Sequence, residues 1–244
     1  MTGDVATKVL RNNYLQSLAI SLASRQGALE IGYQQRLMRE LEGKGLLDRE
    51  IEFLPRDAEL SVRAKLGKGL TRPELAILLS YAKIGIFKEL IRSRVPDDPY
   101  LERLLVEYFP KAMRERYGND LRRHRLAREI VSTALTNTVI NRGGPTFITR
   151  LSDETGFTAP AVVYAYMAVE AVHGLEGLWE RIDGLDGQVK GELQLSLYQK
   201  VQDLIVRETL WFLRHVDASK SLADIIATYS TGVATIRSSL PDLL

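Results

Sequence analysis

The sequence contains no cysteine. This absence excludes disulfides, thiolate metal sites and cysteine nucleophiles, and it is typical of proteins in a reducing compartment. Long apolar runs are also missing, and the opening "MTGDVATKVLRNNY" lacks the apolar core of a signal peptide. We therefore expect a cytoplasmic protein with no membrane partner. The early onset of helical patterning would suit a segment of a longer protein.

An excess of charge of one sign is lacking as well. The 33 basic and 31 acidic residues leave a net charge of +2, so no overall field attracts nucleic acid, and a basic site must be local. The three histidines, His124, His173 and His215, are too far apart for a metal-ligand motif. Nucleophile-elbow, HExxH and P-loop motifs are missing too. The residues therefore assign no catalytic, cofactor-binding or metal-binding position.

Apolar residues recur at spacings of three and four, which is the helical period, and strand-like alternation is nearly absent. The pattern predicts an all-α, multi-helix globular bundle with no substantial sheet. The division that we expect is a main helical domain at 1–182 and, at 183–244, a long helix plus a tail helix packed on the same core. Stretch 175–191 is the plausible boundary. The predicted helices are 4–25, 28–44, 57–66, 72–94, 98–107, 110–117, 120–141, 146–155, 159–174, 188–216 and 221–238.

The segment "GKGLTRPELAILLSYAKI" (67–84) contains two glycines near basic residues, which raises the question of a phosphate site. A dinucleotide fingerprint requires a third glycine where Arg72 stands, and the preceding residues are helical rather than a strand. Thr71 as N-cap, Glu74 three residues later and an intervening proline are instead typical of a helix start with a capping box. Asp98, directly before a proline, indicates a second helix start.

The densest basic segment is 111–128, "KAMRERYGNDLRRHRLAR", and a helix-glycine-helix rhythm follows at 150–168. These features allow an alternative, a free-standing regulatory or nucleic-acid-binding module. Its phosphate contacts would come from Arg114, Arg116, Arg122 and Arg125. The candidate recognition helix, however, contains no lysine or arginine. We therefore expect no nucleic-acid partner and a core position for Val162, Val163, Tyr166 and Met167.

Four charged residues are candidates for an interface or a buried ion pair. On a helix that begins near Asp120, Arg122 and Arg125 point away from the apolar face, which suits solvent or an interface. Arg123 falls near the apolar side, as does Asn141, so both would need polar partners if buried. Glu208 lies on the apolar stripe of the long C-terminal helix, where a buried arginine would be a suitable partner.

Several phrases, taken together and in order, resemble the C-terminal region of the large bacterial NAD-specific glutamate dehydrogenases. They are "LRNNYLQSLAIS" (10–21), "LEGKGLLDREIEFLP" (41–55), "GKGLTRPELAILLSYAKI" (67–84), "PDDPYL" (96–101), "YFP" (108–110), "HRLAREIVSTALTNTVINRGGPTF" (124–147) and "DETG" (153–156). The series covers most of residues 5–216, whereas the last thirty residues match only loosely.

This resemblance implies a parent enzyme that converts L-glutamate, NAD and water to 2-oxoglutarate, ammonia and NADH. It also implies a catalytic domain upstream in the same polypeptide and a homo-oligomeric parent. The "RGGPT" turn (142–146) lacks the lysine of the family's glycine-rich catalytic segment, and no Rossmann fingerprint follows a strand. No catalytic residue can be carried over. We therefore expect a non-catalytic helical domain that is inactive alone and binds no cofactor, NAD belonging to the parent.

Overall fold

A computed structural model describes residues 2–217 and 219–239, and over this part the chain is all-α, as predicted, with no strand. Short 3-10 turns at Gly27–Glu30, Val95–Asp97 and Pro99–Leu101 join some of the helices. The helices are α1 Thr2–Gln26, α2 Ile31–Gly43, α3 Asp57–Lys65, α4 Arg72–Leu90, α5 Glu102–Tyr108, α6 Lys111–Arg122, α7 Ala127–Gly143, α8 Phe147–Thr155, α9 Ala159–Val172, α10 Leu175–Asp183, α11 Gly191–His215 and α12 Leu222–Ser239.

The start of α4 shows what the glycine-rich stretch does. The Thr71 hydroxyl accepts from the Glu74 amide at 3.5 Å, and the Glu74 carboxylate accepts from the Thr71 amide at 2.7 Å. Arg63 of α3 donates to the same carboxylate at 2.7 Å. A Cβ on Gly69 would lie 2.7 Å from the carbonyl carbon of Gly27, so only glycine lets these two loops meet. The stretch is a capped helix start with a close backbone contact.

Buried apolar residues form two clusters, and α1 and α4 contribute to both. The larger cluster surrounds α9 and draws residues from α1, α4, α5, α7, α8, α10, α11 and α12, on both sides of residue 183. The smaller cluster joins α2, α3, α4, the loops between them and Ala23 of α1. The predicted core positions of α9 are confirmed, because Val162, Val163, Tyr166 and Met167 are all at most 1% exposed.

One predicted helix was wrong. Residues 120–141 do not form one helix: α6 ends at Arg122, α7 begins at Ala127, and the His124 Nδ1 atom accepts from the Leu126 amide at 3.1 Å in the connection. This side-chain bond stabilises a turn in place of the helical ladder. Helix α10 was not among the predicted helices, and it buries Leu175, Trp179 and Ile182 at helical spacing.

Candidate functional site

A polar cavity of about 310 Å³ lies where α1, α5, α7, α9 and α10 converge. Its position is unusual because these helices otherwise meet through the larger apolar cluster. Amide side chains from α1 and α7 line it together with charged groups of both signs. The charged lining residues are Lys8, Arg11, Arg103, Arg142, Glu107, Glu170 and Glu176. Because buried charges need partners, the pairing of each group decides what the cavity can bind.

A fixed ion pair adjoins the cavity. Arg142, in the last turn of α7, has a side chain only 7% exposed, and its guanidinium donates to the Asp183 carboxylate at 3.0 and 3.4 Å. Its Cζ atom lies 4.5 Å from the ring centroid of Trp179, a cation–π distance. The backbone carbonyl of Arg142 accepts from the Gln202 amide group at 2.6 Å. Ion pairing and stacking therefore hold this cation in one orientation.

Asp183 collects further donors from α1 and α11. The Arg11 Nη2 atom lies 3.4 Å from its carboxylate, and the Tyr198 hydroxyl donates to it. The Tyr14 hydroxyl lies 3.2 Å from that of Tyr198. Burial, followed by the bond to Asp183, raises the pKa of Tyr198 well above its usual range. The carboxylate thus contacts two arginines and links α1, α7 and α11 to the end of α10.

Lys8 of α1, another lining residue, is also satisfied by the protein. Its ammonium donates to the backbone carbonyls of Glu107, Tyr108 and Phe109 at the end of α5. Carbonyls at a helix C-terminus favour a cation. Burial nevertheless lowers the pKa of Lys8, with a further contribution from Arg114. This lysine fastens α1 to α5 rather than standing free.

Three buried polar atoms of lining residues have no hydrogen-bond partner among the described residues: Asn141 Oδ1, Trp179 Nε1 and Arg103 Nε. Asn141 is 2% exposed and Trp179 is 3% exposed. The other end of the Asn141 amide is satisfied, because its Nδ2 donates to Asn12 Oδ1 at 2.9 Å. A buried polar atom without a partner costs about 1–3 kcal/mol.

Glu170 of α9 brings a titratable group to the same cavity. Desolvation raises the pKa of its carboxyl to about 7, and Glu176 adds to the rise, while Arg103 and Arg142 oppose it. The Tyr166 hydroxyl donates to it weakly at 3.5 Å. Near neutral pH this carboxyl is therefore divided between its neutral and charged forms.

The residues predicted as an interface or a buried ion pair lie elsewhere. Arg122 is exposed on α6 and pairs with Glu102, and Arg125 is exposed in the α6–α7 connection. The expectation that Arg123 faces the apolar side was wrong, because the helix ends before it and the residue is exposed.

Glu208, for which a buried arginine would have been a suitable partner, lies beside a histidine instead. Its carboxylate lies 3.4 Å from His173 Nε2, at the end of α9. Asp98, predicted as a helix cap, accepts from the Tyr100 amide at 2.9 Å and from the Tyr164 hydroxyl at 2.7 Å. The same carboxylate accepts from the Leu222 amide, so it also ties the start of α12 to the bundle.

The sequence analysis did not single out Arg103, Arg142 or Glu170. A usable signal existed for Glu170, which is the only charged residue of α9 and stands one helical turn from buried Tyr166 and Met167. A similar signal existed for Arg142, because it is a charged residue directly after the buried residues at the end of α7. Charged residues inside an apolar pattern indicate either a pair or a site. For Arg103 the sequence offers no such signal.

Over residues 2–217 and 219–239, no group of three or more histidine, aspartate or glutamate side chains could hold a metal ion. Within the same ranges, none of the helices combines the length and the apolar character required to cross a membrane.

Comparison with known proteins places this architecture in a family. Residues 67–244 match the family model described as glutamate dehydrogenase, C-terminal. The chain belongs to that family. The NAD-specific glutamate dehydrogenase of Pseudomonas aeruginosa is 43% identical over 244 residues, which is the whole of this chain and 15% of that protein.

Two other relatives agree with this glutamate dehydrogenase assignment. The NAD-specific glutamate dehydrogenase of Halomonas elongata is 39% identical over 98% of the chain, and that of Mycobacterium tuberculosis is 32% identical over 88%. The chain spans only 15% and 13% of these proteins. The resemblance found in the sequence, to a C-terminal region of large NAD-specific glutamate dehydrogenases, is therefore confirmed.

Proposed function

We propose that this chain is a non-catalytic helical domain of a cytoplasmic NAD-specific glutamate dehydrogenase. In the parent, the upstream catalytic domain would convert L-glutamate, NAD and water to 2-oxoglutarate, ammonia and NADH. The helical domain would pack on that domain or help to build a homo-oligomer. The observation that carries the proposal is the match over 100% of this chain to 15% of a much longer NAD-specific enzyme.

A strained apolar loop supports a docking role. In the loop between α2 and α3, Ile51 is 70% exposed and Phe53 is 90% exposed. Phe53 also has a φ of 53°, a left-handed conformation that costs a non-glycine residue about 1–2 kcal/mol. Large apolar side chains presented together on a surface are typical of a contact with another protein segment. We propose that this loop contacts the upstream domain.

The loop is held in place from within. Arg49, whose side chain is 13% exposed, donates to Glu42 at 2.7 and 2.8 Å and to Asp57 at 2.7 Å. These bonds fix the ends of the loop against α2 and α3. A loop that is rigid yet presents apolar side chains loses little conformational entropy on docking, which favours association.

The nucleic-acid alternative has less support. Two basic side chains of α6 already have acidic partners, since Arg122 pairs with Glu102, and Lys111 lies 3.8 Å from Glu115. Intramolecular pairing reduces the attraction of phosphates.

The first experiment assays the purified 244-residue chain for glutamate-dependent formation of NADH. We expect none, and clear turnover would refute the non-catalytic role. The second mixes the chain with a separately expressed upstream region of a parent enzyme and measures their association. Phe53→Ser should weaken binding at least tenfold, whereas Leu29→Ser, a change at another exposed apolar residue, should not. Equal binding by Phe53→Ser would contradict a docking role for the loop.

A further inference from the structure

We propose that a second, largely apolar cavity between α9, α11 and α12 binds a medium-chain fatty acid. The cavity would take the alkyl chain, and the exposed lining residues Arg94 and Lys220 would hold the carboxylate. This site is separate from the polar cavity and from the docking loop, and it goes beyond the proposed function.

The first argument is the size of the cavity. Its volume is about 850 Å³, and small-molecule sites span roughly 300 to 1,000 Å³. One water in the liquid occupies about 30 Å³, and a methylene group is of similar size. An alkyl chain of about ten carbon atoms therefore fits with room to spare.

The second argument is the apolar surface that the cavity offers to a ligand. Five apolar lining residues keep part of their surface accessible: Phe157 is 38% exposed, and Val95, Pro160, Ala161 and Val216 are half-buried. They come from three connections and from the first turn of α9. An alkyl chain that covers them removes apolar surface of both partners from water, which favours binding.

The third argument is the unused positive charge at the exposed edge of the cavity. Arg94 lies between α4 and α5, and Lys220 lies between α11 and α12. Neither has a carboxylate oxygen within 4 Å among the described residues, and both are exposed. Lys220 acts on Asp217 only at longer range, adding to a lowered pKa that the hydrogen bonds from Ser219 cause first. Both cations are therefore available to an anion from solution.

The acidic lining residues, in contrast, are engaged by the protein. Asp97 pairs with Arg128. Asp98 accepts from the amides of Tyr100 and Leu222 at 2.9 and 3.2 Å, and from the Tyr164 hydroxyl at 2.7 Å. The unpaired charge of the lining is thus positive.

The two aspartates also limit the charge of the ligand. A group with two negative charges, such as phosphate, would meet repulsion from Asp97 and Asp98. A single carboxylate matches the planar guanidinium of Arg94 in a two-point contact, and Lys220 adds a point charge. The expected ligand is therefore an alkyl monocarboxylate.

The test is calorimetric titration of the 244-residue chain with octanoate. Hexanoate and decanoate vary the length of the chain, and octanamide is the neutral counterpart. We expect saturable binding of octanoate, an affinity that rises roughly two- to fourfold for each added methylene, and at least tenfold weaker binding of octanamide. The proposal fails if octanoate shows no saturable binding, if affinity is independent of length, or if the amide binds as tightly.

Three variants and a control assign the binding to this cavity. Arg94→Gln and Lys220→Gln should each weaken octanoate binding several-fold, whereas Lys68→Gln, which removes an exposed lysine outside the cavity, should not. Ala161→Leu fills part of the cavity and should weaken binding of decanoate more than that of hexanoate. Unchanged affinity in both charge variants, or an equal effect of Lys68→Gln, would overturn the proposal.

A protein segment is the other class of occupant for an apolar cavity, and the association assay with the upstream region distinguishes it. Lys220→Gln should leave that association unchanged. Weaker association in this variant, together with no binding of octanoate, would assign the cavity to the upstream domain and overturn the proposal. Phe53 lies outside the cavity, so Phe53→Ser should bind octanoate like the unaltered chain. Failure of the docking loop and failure of the fatty-acid site are therefore separate results.

Discussion

The guanidinium of Arg142 lies over the indole ring of Trp179, with its Cζ atom 4.5 Å from the ring centroid. The stack joins the end of α7 to the middle of α10, and the ion pair with Asp183 joins α7 to the end of α10. A cation buried to this degree is stable only while its carboxylate is present. This relationship makes Asp183 the residue on which the local structure depends.

Asp183→Asn should destabilise the chain by about 3–5 kcal/mol, because it leaves a buried arginine without its counter-charge. Asparagine keeps the shape of the side chain, so the loss reports charge rather than packing. Urea unfolding followed by circular dichroism measures the change. The matched control is Asp153→Asn, which breaks a pair with an arginine whose side chain is 62% exposed. It should cost no more than about 1 kcal/mol. Equal losses would contradict a dominant role for the buried pair.

Glu170→Gln should remove a pH dependence of stability. The pKa of this carboxyl is about 7 in the folded chain and near 4.5 when unfolded, so the folded state holds the extra proton between these values. The free energy of unfolding therefore falls as pH rises from about 4.5 to about 7. Arg103 and Arg142 reduce the effect, and Glu176 increases it.

At pH 8 the glutamine variant should be more stable than the unaltered chain by about 1–3 kcal/mol, and at pH 4 the two should agree. Urea midpoints over this range provide the measurement. If Glu170→Gln left the pH dependence of stability unchanged, another titratable group would be responsible for it.

Lys83→Met should change the pH dependence of stability in a different, more alkaline range. Desolvation lowers the pKa of this lysine to about 8, and its ammonium donates to Asn137 Oδ1 at 2.9 Å, with no carboxylate within 4 Å in the described part of the chain. The unfolded chain keeps the proton up to about pH 10.5, so stability should rise as pH increases from about 8 to 10.5.

The half-buried ammonium remains partly screened by solvent, so the rise should not exceed about 2 kcal/mol. Methionine is unbranched like lysine, one atom shorter and uncharged, and it should abolish the rise in urea unfolding experiments. Lys88→Met, a change at an exposed lysine of the same helix, should leave the rise intact. A rise that persists in Lys83→Met would assign it to another group.

Local signals in the sequence were sufficient where the interacting residues lie within a few positions of one another. The start of α4 could be predicted because Thr71 and Glu74 satisfy each other within one turn. The apolar face of α9 could be predicted because its period alone places Val162 and Tyr166 inside. Interactions within a turn and the helical period are both readable from residue order.

Contacts between distant segments could not be predicted in this way. The partner of Glu208 is His173, thirty-five positions earlier, and nothing in the pattern of α11 selects a histidine over an arginine. The cavity depends on how α1, α5, α7, α9 and α10 meet, which is a property of packing. Arg123 was misplaced because one side-chain bond of His124 replaces the helix that periodicity predicts.

Thr71→Ala tests whether the capping box stabilises the chain as its geometry indicates. Loss of an N-cap threonine costs about 0.5–2 kcal/mol, and the long bond of 3.5 Å to the Glu74 amide favours the lower half of that range. Thr158 provides a matched control, since it occupies the N-cap of α9 with the same extended backbone but makes no capping bond with its side chain. Both residues are exposed. Thr158→Ala should therefore change the free energy of urea unfolding by less than Thr71→Ala. The reverse order would mean that Arg63 and Glu74 hold the start of α4 without the threonine hydroxyl.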